Sequence, residues 1–393
     1  MISKSSINVF DNGSEDPDVI YFNGEVINSS VVDNGSGDPI IKFSDYRLEN
    51  IITDASLYHM SIVKWNADIG ANLPLFIPII SSGTTTVYSI TMSASCGGEN
   101  ASDRQFVIYV SESGLTPISS TQRFDDKYYW IYSYQNWLDC VNTTLQSCFT
   151  NLQEQLQGLY GTFVTKCPKM MYDASTNRFS LYTDCYGFGE DDRKSKGISG
   201  HDESFVIYFN NNMTNLFKNF QNTYTPFVDE SAGTTTKIII RNKLGQNIVT
   251  DASNSDNTKY YVTSQEWAST DSWTPISGIV FRTNTMPVTG ELISTVNQIG
   301  SPSSFSIVTQ SPTDDIITDI SLSLTDGAHD YKQFLTYSPD GEYRLIDLCK
   351  GHGSMKTIDF SIGWKCKYNG QVYPCTMPSL GYAGIKIMFV RKV

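Results

Sequence analysis

The sequence predicts a mainly β protein, a β-sandwich or barrel interrupted by an inserted α+β domain. Short segments rich in β-branched and aromatic residues crowd both flanks of the chain, with Gly, Pro, Asn and Asp between them at hairpin spacing. Only 18% of the residues are charged, against about 25% in ordinary globular proteins. One long stretch in the middle instead repeats its apolar residues every three or four positions, as an amphipathic helix does.

The strand signals fall into two groups on either side of that stretch. Several short strands with one solvent-facing side favour a sandwich or a barrel. The segments of the first group are 40–48, 57–66, 73–80, 85–92 and 105–110. Those of the second group are 276–283, 304–310, 315–324, 333–338, 343–348, 356–377 and 383–390.

The segment 356–377 shows the strand pattern most clearly. Its apolar residues occupy every second position, which predicts a half-buried strand. Asn369-Gly370 then favours a two-residue type I′ hairpin turn. We expect Trp364 and Tyr373 to share the buried face, while Lys365 and Lys367 face solvent or a partner. The apolar positions of the first strand are Ile358, Phe360, Ile362, Trp364 and Cys366.

The middle of the chain predicts a mixed α+β domain. An amphipathic helix over 133–158 should bury one stripe and end at Gly158. Residues 169–184 are typical of a hairpin that turns at 174–177, and 203–220 of a strand followed by a short helix. The buried stripe of the long helix comprises Trp137, Val141, Leu145, Cys148 and Leu152, followed by Leu156.

These patterns predict a discontinuous organisation of the chain. Neither flank alone has enough strands to close a sandwich, so an insertion explains the order better than two domains in series. The predicted parts are an acidic N-terminal arm (1–40), a first sandwich part (41–126), the inserted domain (127–270) and a second sandwich part (271–393). We expect the arm to pack along a neighbour or on its own sheet. The final strand, 383–390, should lie inside the sandwich with Ile385, Ile387 and Phe389 buried.

The charge and hydropathy of the chain exclude two classes of partner. The net charge is −13, which opposes binding to phosphates, so we expect no direct nucleic-acid binding. Neither a signal-peptide core nor 18 consecutive apolar residues occur, so we expect a soluble protein without a membrane span.

The sequence predicts no enzyme, and no catalytic, cofactor-binding or metal-binding residue. The four histidines, His59, His201, His329 and His352, stand in no known catalytic spacing. The eight cysteines form no C-x-x-C pair. Cys366 and Cys375 are close enough on the predicted hairpin for a disulfide, although two buried thiols are favoured. Carboxylates brought together by folding leave a glycoside hydrolase open as an alternative.

Several segments resemble the penton (minor capsid) proteins of virophages and related polinton-like viruses, in particular Sputnik-like pentons. The likeness lies in LENIITDASLYHMSIVKWN (48–66), in YYWIYSYQNWLDCVNTTLQSCFTNLQ (128–153), in VIYFNNNMTNLFKNFQ (206–221) and in the closing strands 343–392. The resemblance implies a single jelly roll that stands at an icosahedral five-fold vertex, with an extra domain inserted on the outer side. It also implies a homopentamer in the virion, with neighbouring major capsid protein capsomers as partners. The insertion would then be free to meet a host surface glycan or protein.

Two other functions compete with a capsid role. A receptor-binding or lectin-like viral fibre would also be β-rich and acidic, but it would more often form trimers. A β-sandwich glycoside hydrolase would place two acids across a cleft. The mass of the oligomer distinguishes them, because five subunits favour a vertex protein, three a fibre and one an enzyme.

Overall fold

The chain forms two compact units. Unit 1 combines Met1–Leu73 with Pro275–Val393, and unit 2 is Pro74–Thr274. The structure is a computed structural model. It describes residues 17–29, 39–69, 72–81, 83–96, 99–111, 127–160, 165–185, 187–188, 204–224, 235–240, 248–250, 258–288, 315–320, 334–339, 343–348 and 353–392.

The order of elements within these ranges follows the sequence prediction in outline, with many strands and two α-helices in the middle of the chain. The strands are β1 (Val19–Ile27), β2 (Lys42–Tyr46), β3 (Tyr58–Asp68), β4 (Thr85–Cys96), β5 (Glu99–Ile108), β6 (Lys169–Asp173), β7 (Arg178–Asp184), β8 (Ser204–Asn210), β9 (Asn222–Tyr224), β10 (Thr235–Ile238), β11 (Ile248–Thr250), β12 (Lys259–Ser264), β13 (Ile276–Thr283), β14 (Asp315–Ile320), β15 (Phe334–Tyr337), β16 (Ile346–Asp347), β17 (Thr357–Cys366), β18 (Val372–Pro374) and β19 (Tyr382–Arg391). The α-helices are α1 (Tyr134–Tyr160) and α2 (Asn211–Leu216).

Unit 1 contains two antiparallel five-stranded sheets. The first has the order β1-β19-β3-β15, with β16 also paired to β3, and the second has the order β14-β13-β17-β18, with β2 paired to β17. Their inner faces meet where Trp65 of β3 packs edge-on against Phe281 of β13, with ring centroids 5.5 Å apart. Both rings are buried, so the two sheets share one apolar core.

The last strand lies inside its sheet, as predicted. β19 pairs with β1 on one side and with β3 on the other. Ile385, Ile387 and Phe389 are all buried, which confirms the expected core positions.

Part of the predicted N-terminal arm packs on the chain's own sheet, which is one of the two placements expected for it. β1 pairs with β19 along its whole length and adds an edge strand to the first sheet. Ile20 and Phe22 are buried in the core, which explains why this segment is held in the sheet. The rest of the predicted arm, 1–16 and 30–38, lies outside the described residues.

The hairpin of β17 and β18 keeps the predicted faces but not the predicted turn. Trp364 is buried and pairs with Tyr373, and the two rings stack with centroids 4.7 Å apart. Of the Asn369-Gly370 pair only Gly370 has a positive φ, so the turn is not type I′. The Asn369 side chain instead accepts the N–H of Gln371 at 3.0 Å, an Asx-type bond that favours a longer loop. The register therefore moves by two positions, and a shift of two leaves every side chain on its predicted face.

Unit 2 contains two further antiparallel sheets and both helices. The sheet orders are β5-β4-β8-β10-β9 and β11-β12-β7-β6. The hairpin at 169–184 and the strand with its short helix at 203–220 are confirmed as β6–β7 and β8–α2. Asn210 ends β8 and caps α2, because its side-chain oxygen accepts the N–H of Met213 at 3.0 Å.

Helix α1 buries the predicted stripe. Each of its residues Trp137, Val141, Leu145, Cys148 and Leu152 is fully buried. The helix continues two residues past Gly158, so the predicted stop is wrong by that amount. The strands that cover the stripe are β4, β5 and β6, whereas β4 and β5 were expected to belong to the sandwich.

The position of β4 and β5 in unit 2 moves one domain boundary. The first boundary lies between Leu73 and Pro74 and not after residue 126, because β4 pairs with both β5 and β8 in one sheet of unit 2. The second boundary, between Thr274 and Pro275, is four residues from the predicted one. Strands with one solvent-facing side show the same alternation of apolar and polar residues in both units. This alternation therefore does not indicate which sheet a strand joins.

Two strand predictions also change. Residues 73–80 form only isolated bridges, Phe76 with Ile131 and Ile80 with Thr86. Pro74 and Pro78 lack the N–H groups that a regular ladder requires. The predicted strand 343–348 shortens to β16, and the predicted strand 304–310 lies outside the described residues.

The polar side of β17 holds a buried carboxylate. Asp359 was expected on a solvent-facing side, but it is only 4% exposed. Its oxygens accept the hydroxyl of Thr283 at 2.8 Å and the N–H groups of Asn284 and Thr285 at 3.0 and 3.1 Å. The Thr285 hydroxyl donates to it as well. Burial alone raises the pKa of the Asp359 carboxyl, but these hydrogen bonds outweigh it and hold the pKa below its usual value of 3.8.

Asp359→Asn should lower the free energy of unfolding by about 2–3 kcal/mol at neutral pH, because an amide removes the charged acceptor from four donors. The folded pKa lies below the unfolded value, so this stabilisation is complete above about pH 3.8 and is lost as the pH falls through the folded pKa. Urea denaturation between pH 2.5 and 7 should show the difference between wild type and variant shrinking in acid. Asp319→Asn, at a side chain 56% exposed, is the control and should change stability by less than about 0.5 kcal/mol. A constant difference across this pH range would contradict the assignment.

Candidate interaction surfaces

The titratable groups of the described residues form no catalytic arrangement. His59 Nδ1 lies 2.9 Å from Asp347 Oδ1, and Lys392 Nζ lies 3.1 Å from the same oxygen. The hydrogen bond from Lys392 holds the pKa of the Asp347 carboxyl below its usual range. These side chains link β16 and the end of β19 to β3, so the cluster stabilises the pairing of these strands. His201, His329 and His352 lie outside the described residues.

The described cysteines are suited to packing. Cys366 and Cys375 are buried free thiols and not a disulfide. Burial raises the pKa of Cys148 and of Cys375 to about 12, so these sulfurs stay protonated and unreactive at neutral pH. Among the described residues, no three His, Cys, Asp or Glu side chains are grouped so that they could hold a metal ion.

What the surface offers is exposed apolar area on sheet edges. On β1, the edge strand of the first sheet of unit 1, Val19, Tyr21 and Ile27 point outward and are exposed. The ammonium of Lys386 on the neighbouring β19 lies 4.9 Å from the centre of the Tyr21 ring. We call these three apolar side chains the β1 edge; the exposed Glu25 lies between Tyr21 and Ile27 on the same face.

The opposite side of the same sheet carries a second apolar row. β15 and β16 both pair with the side of β3 that faces away from β19. Phe334 of β15 is exposed, and so are Tyr343 and Leu345, which lead into β16. We call these three residues the β15–β16 edge. Exposed aromatic and aliphatic side chains in a row mark protein contacts more often than chance exposure does.

Unit 2 exposes a similar row on one strand and one isolated tryptophan. Phe106, Ile108 and Val110 alternate with the buried Val107 and Tyr109 along and just after β5, an edge strand. Apart from this row, Trp267 is 58% exposed on the loop that follows β12. Its neighbour Glu266 accepts the side-chain amide of Gln221 at 3.3 Å.

None of these surface residues was predicted from the sequence, although β1 carries one signal. β1 reads VIYFNGEVI, in which both alternating faces begin with large apolar residues. A strand with apolar residues on both faces needs a packing partner on each face, and only one face of β1 packs against the core. The exposed Trp267 carries no comparable pattern, because its exposure depends on how its loop is held.

No described helix combines the length and the apolar character needed to cross a membrane. The surfaces described above are two sheet edges in unit 1 and, in unit 2, an exposed row and a lone indole. Such surfaces suit binding to other molecules.

Comparison with known proteins identifies the family. The sequence model described as Sputnik minor capsid protein V18/19 matches residues 20–391. No curated protein matches the chain. A chain in the 3.5 Å cryo-EM structure of the Sputnik virophage superimposes with a TM-score of 0.75 at 21% identity, over 96% of this chain and 99% of that one. The crystal structure of selenomethionine-labelled mavirus penton protein gives a TM-score of 0.61 at 16% identity, over 95% and 99%.

The two kinds of match support different statements. At these identities the solved structures establish a shared, penton-like fold of several antiparallel sheets. The family match covers most of the chain, and it is to a structural family of capsid proteins and not of enzymes, as predicted. The chain therefore belongs to the Sputnik minor capsid protein V18/19 family and is a virophage minor capsid protein, a component of the virion.

Proposed function

We propose that five copies of this chain close each five-fold vertex of the capsid. In this proposal unit 1 is a single jelly roll that forms the ring, and unit 2 is an insertion on the outer side of the shell. The strand order of unit 1 is the observation that carries the proposal. Neighbouring major capsid protein capsomers would surround the ring, and unit 2 would be free to meet a host surface.

The strand order of unit 1 supports a jelly roll. We count β15 and β16 as one position and β18 as an extension of β17. The described residues of unit 1 then contain eight strand positions in chain order. The first pairs with the last (β1–β19), the second with the seventh (β2–β17), the third with the sixth (β3–β15) and the fourth with the fifth (β13–β14). Rolling one long hairpin into two facing sheets produces this nested pairing, which defines the jelly roll. Unit 2 separates the third position from the fourth.

The two apolar edges of unit 1 support a ring. A closed ring is built from head-to-tail contacts, so each subunit needs two different patches. The β1 edge and the β15–β16 edge lie at opposite sides of one sheet and carry different residues. Contact between the β1 edge of one copy and the β15–β16 edge of the next would cover both. A standard contact of this kind buries roughly 800 Å² per partner.

Native mass spectrometry of the purified chain at micromolar concentration should give a species of five times the chain mass of 43.9 kDa. Cryo-electron microscopy of virions should place the same chain at the five-fold vertices. A stable monomer absent from the vertices would end the proposal, and a trimer would favour a fibre instead.

Charge substitutions at the two edges test the head-to-tail contact itself. Tyr21→Glu and Leu345→Glu should each prevent the pentamer, because each buries a carboxylate in an apolar contact. A mixture of the two variants should form a dimer with one copy of each, since only one pair of intact patches remains. Tyr46→Glu, at an exposed position on β2 of the other sheet, should still form pentamers. Pentamers of both edge variants would show that the contact lies elsewhere.

A further inference from the structure

We propose that the loop carrying Trp267 binds an uncharged carbohydrate, with one face of a pyranose ring stacked on the exposed indole. The loop belongs to unit 2. The biological use of such a site rests on the proposed outer position of unit 2, but the binding itself is a property of the single chain.

The exposure of Trp267 separates it from every other tryptophan of the protein. The chain has six tryptophans, and the other five are Trp65, Trp130, Trp137, Trp273 and Trp364, all buried. Trp267 is 58% exposed, and its indole has no ring or hydrogen-bond partner among the described residues. A side chain that leaves most of its apolar area in water contributes little to folding. Its size and shape therefore serve something other than the core.

The loop that presents Trp267 is firmly held from beneath. Gln265 is buried, and its backbone N–H donates to the carbonyl of Phe179 at 3.0 Å while its side-chain oxygen accepts the N–H of Phe179 at 2.9 Å. The Gln265 amide also donates to the hydroxyl of Ser269 at 2.9 Å. Asn219 holds the exposed part, because its carbonyl accepts the N–H of Glu266 at 3.0 Å and its side chain donates to the carbonyl of Trp267 at 3.3 Å.

The hydrogen bonds that hold this loop reduce the entropy that a ligand would lose on binding. A loop fixed at Gln265 and at Asn219 holds the backbone of Trp267 in one position, so a ligand need order only the side-chain torsions of the indole and not the loop. Preorganisation of this kind increases affinity by reducing the entropy lost on binding.

The side chains of Glu266, which precedes Trp267 in the chain, and of Gln221 suit sugar hydroxyls. Glu266 offers a carboxylate that accepts hydrogen bonds, and the Gln221 amide 3.3 Å away can both donate and accept. Adjacent hydroxyls of a pyranose are donors and acceptors at a similar spacing, while the axial C–H groups of the ring form an apolar face. An aromatic platform next to planar polar groups satisfies both parts of such a ligand.

The same surroundings argue against other ligands. A tryptophan at the centre of a protein contact is normally enclosed by further apolar area. The segments hydrogen-bonded to this loop instead present Lys218, Gln221 and Asn222 at the surface. Acidic sugars are disfavoured because the site contains the Glu266 carboxylate and the protein carries a net charge of −13.

Fluorescence provides a direct test, because Trp267 is the tryptophan open to a dissolved quencher. The full chain is titrated with acrylamide, an uncharged quencher, in the presence of lactose, mannotriose or N,N′,N″-triacetylchitotriose. At least one of these sugars should protect the quenchable emission in a saturable way. Trp267→Ala should remove that emission and weaken binding of the same sugar by about thirtyfold in calorimetry. Trp267→Phe, which keeps a ring, should bind with intermediate affinity.

Controls separate this result from unfolding and from the proposed vertex role. Phe106→Ala removes another exposed aromatic side chain of unit 2 and should bind the sugar like wild type. Circular dichroism of all variants should match wild type, and native mass spectrometry should find them as pentameric as wild type. Absence of protection by all three sugars, or undiminished binding by Trp267→Ala, would overturn the carbohydrate site whatever the oligomeric state. Protection by a host protein alone would also overturn it, in favour of a protein partner.

Discussion

Ending the chain after Gly381 should prevent unit 1 from folding. The truncation removes β19, which pairs with β1 along its whole length and with β3 on its other side. It also removes Ile385, Ile387 and Phe389 from the core. Loss of each large buried side chain costs about 2–5 kcal/mol, whereas the net stability of a domain is only about 5–15 kcal/mol. Soluble expression and the circular-dichroism melting curve measure the outcome.

Single substitutions in β19 test the same prediction with smaller expected effects. Ile387→Ala and Phe389→Ala should each destabilise the protein by about 2–5 kcal/mol in urea denaturation. Met388→Ala is the matched control, because Met388 lies between them on the opposite, partly exposed face and should cost clearly less. A truncated chain that stays soluble and unfolds cooperatively would show that β19 is not a central strand.

The importance of β19 was predictable from sequence, because it depends on local alternation. Strict period-two patterns locate strands and their buried faces, as in β17 and β19, and a 3.6-residue period located the stripe of α1. These patterns depend only on neighbours in the chain, so the sequence carries them completely.

The features that the sequence did not predict depend on contacts between distant segments of the chain. β4 was assigned to the wrong unit because its partner β8 is more than one hundred residues away in sequence. Asp359 was expected in solvent because the donors that satisfy it, Thr283 and Thr285, come from another strand and its following turn. The loop that carries Trp267 is held by Phe179 and Asn219, which are distant in the chain, and a single sequence does not reveal those contacts.

Trp273 offers the sharpest contrast with Trp267, because two tryptophans six residues apart should respond in opposite ways. The Trp273 ring is buried and stacks on Phe179 with centroids 4.9 Å apart, and it meets Phe217 edge-on at 5.3 Å. Its indole N–H donates to the carbonyl of Leu216 at 2.8 Å. Trp273→Ala should therefore lose about 3–5 kcal/mol from the cavity and about 1–3 kcal/mol more from the unpaired carbonyl. Near-ultraviolet circular dichroism during urea denaturation should show unit 2 losing most of its stability.

A second variant keeps this prediction testable if Trp273→Ala fails to fold. Trp273→Phe retains a ring against Phe179 but removes the indole N–H, so it should cost about 1–3 kcal/mol. Trp267→Ala removes the same kind of side chain from the surface and should change stability by less than about 0.5 kcal/mol. Equal effects of the alanine variants at 267 and 273 would mean that Trp267 also belongs to the core. The expected result would show that Trp273 stabilises the core of unit 2 and that Trp267 is available to bind a ligand.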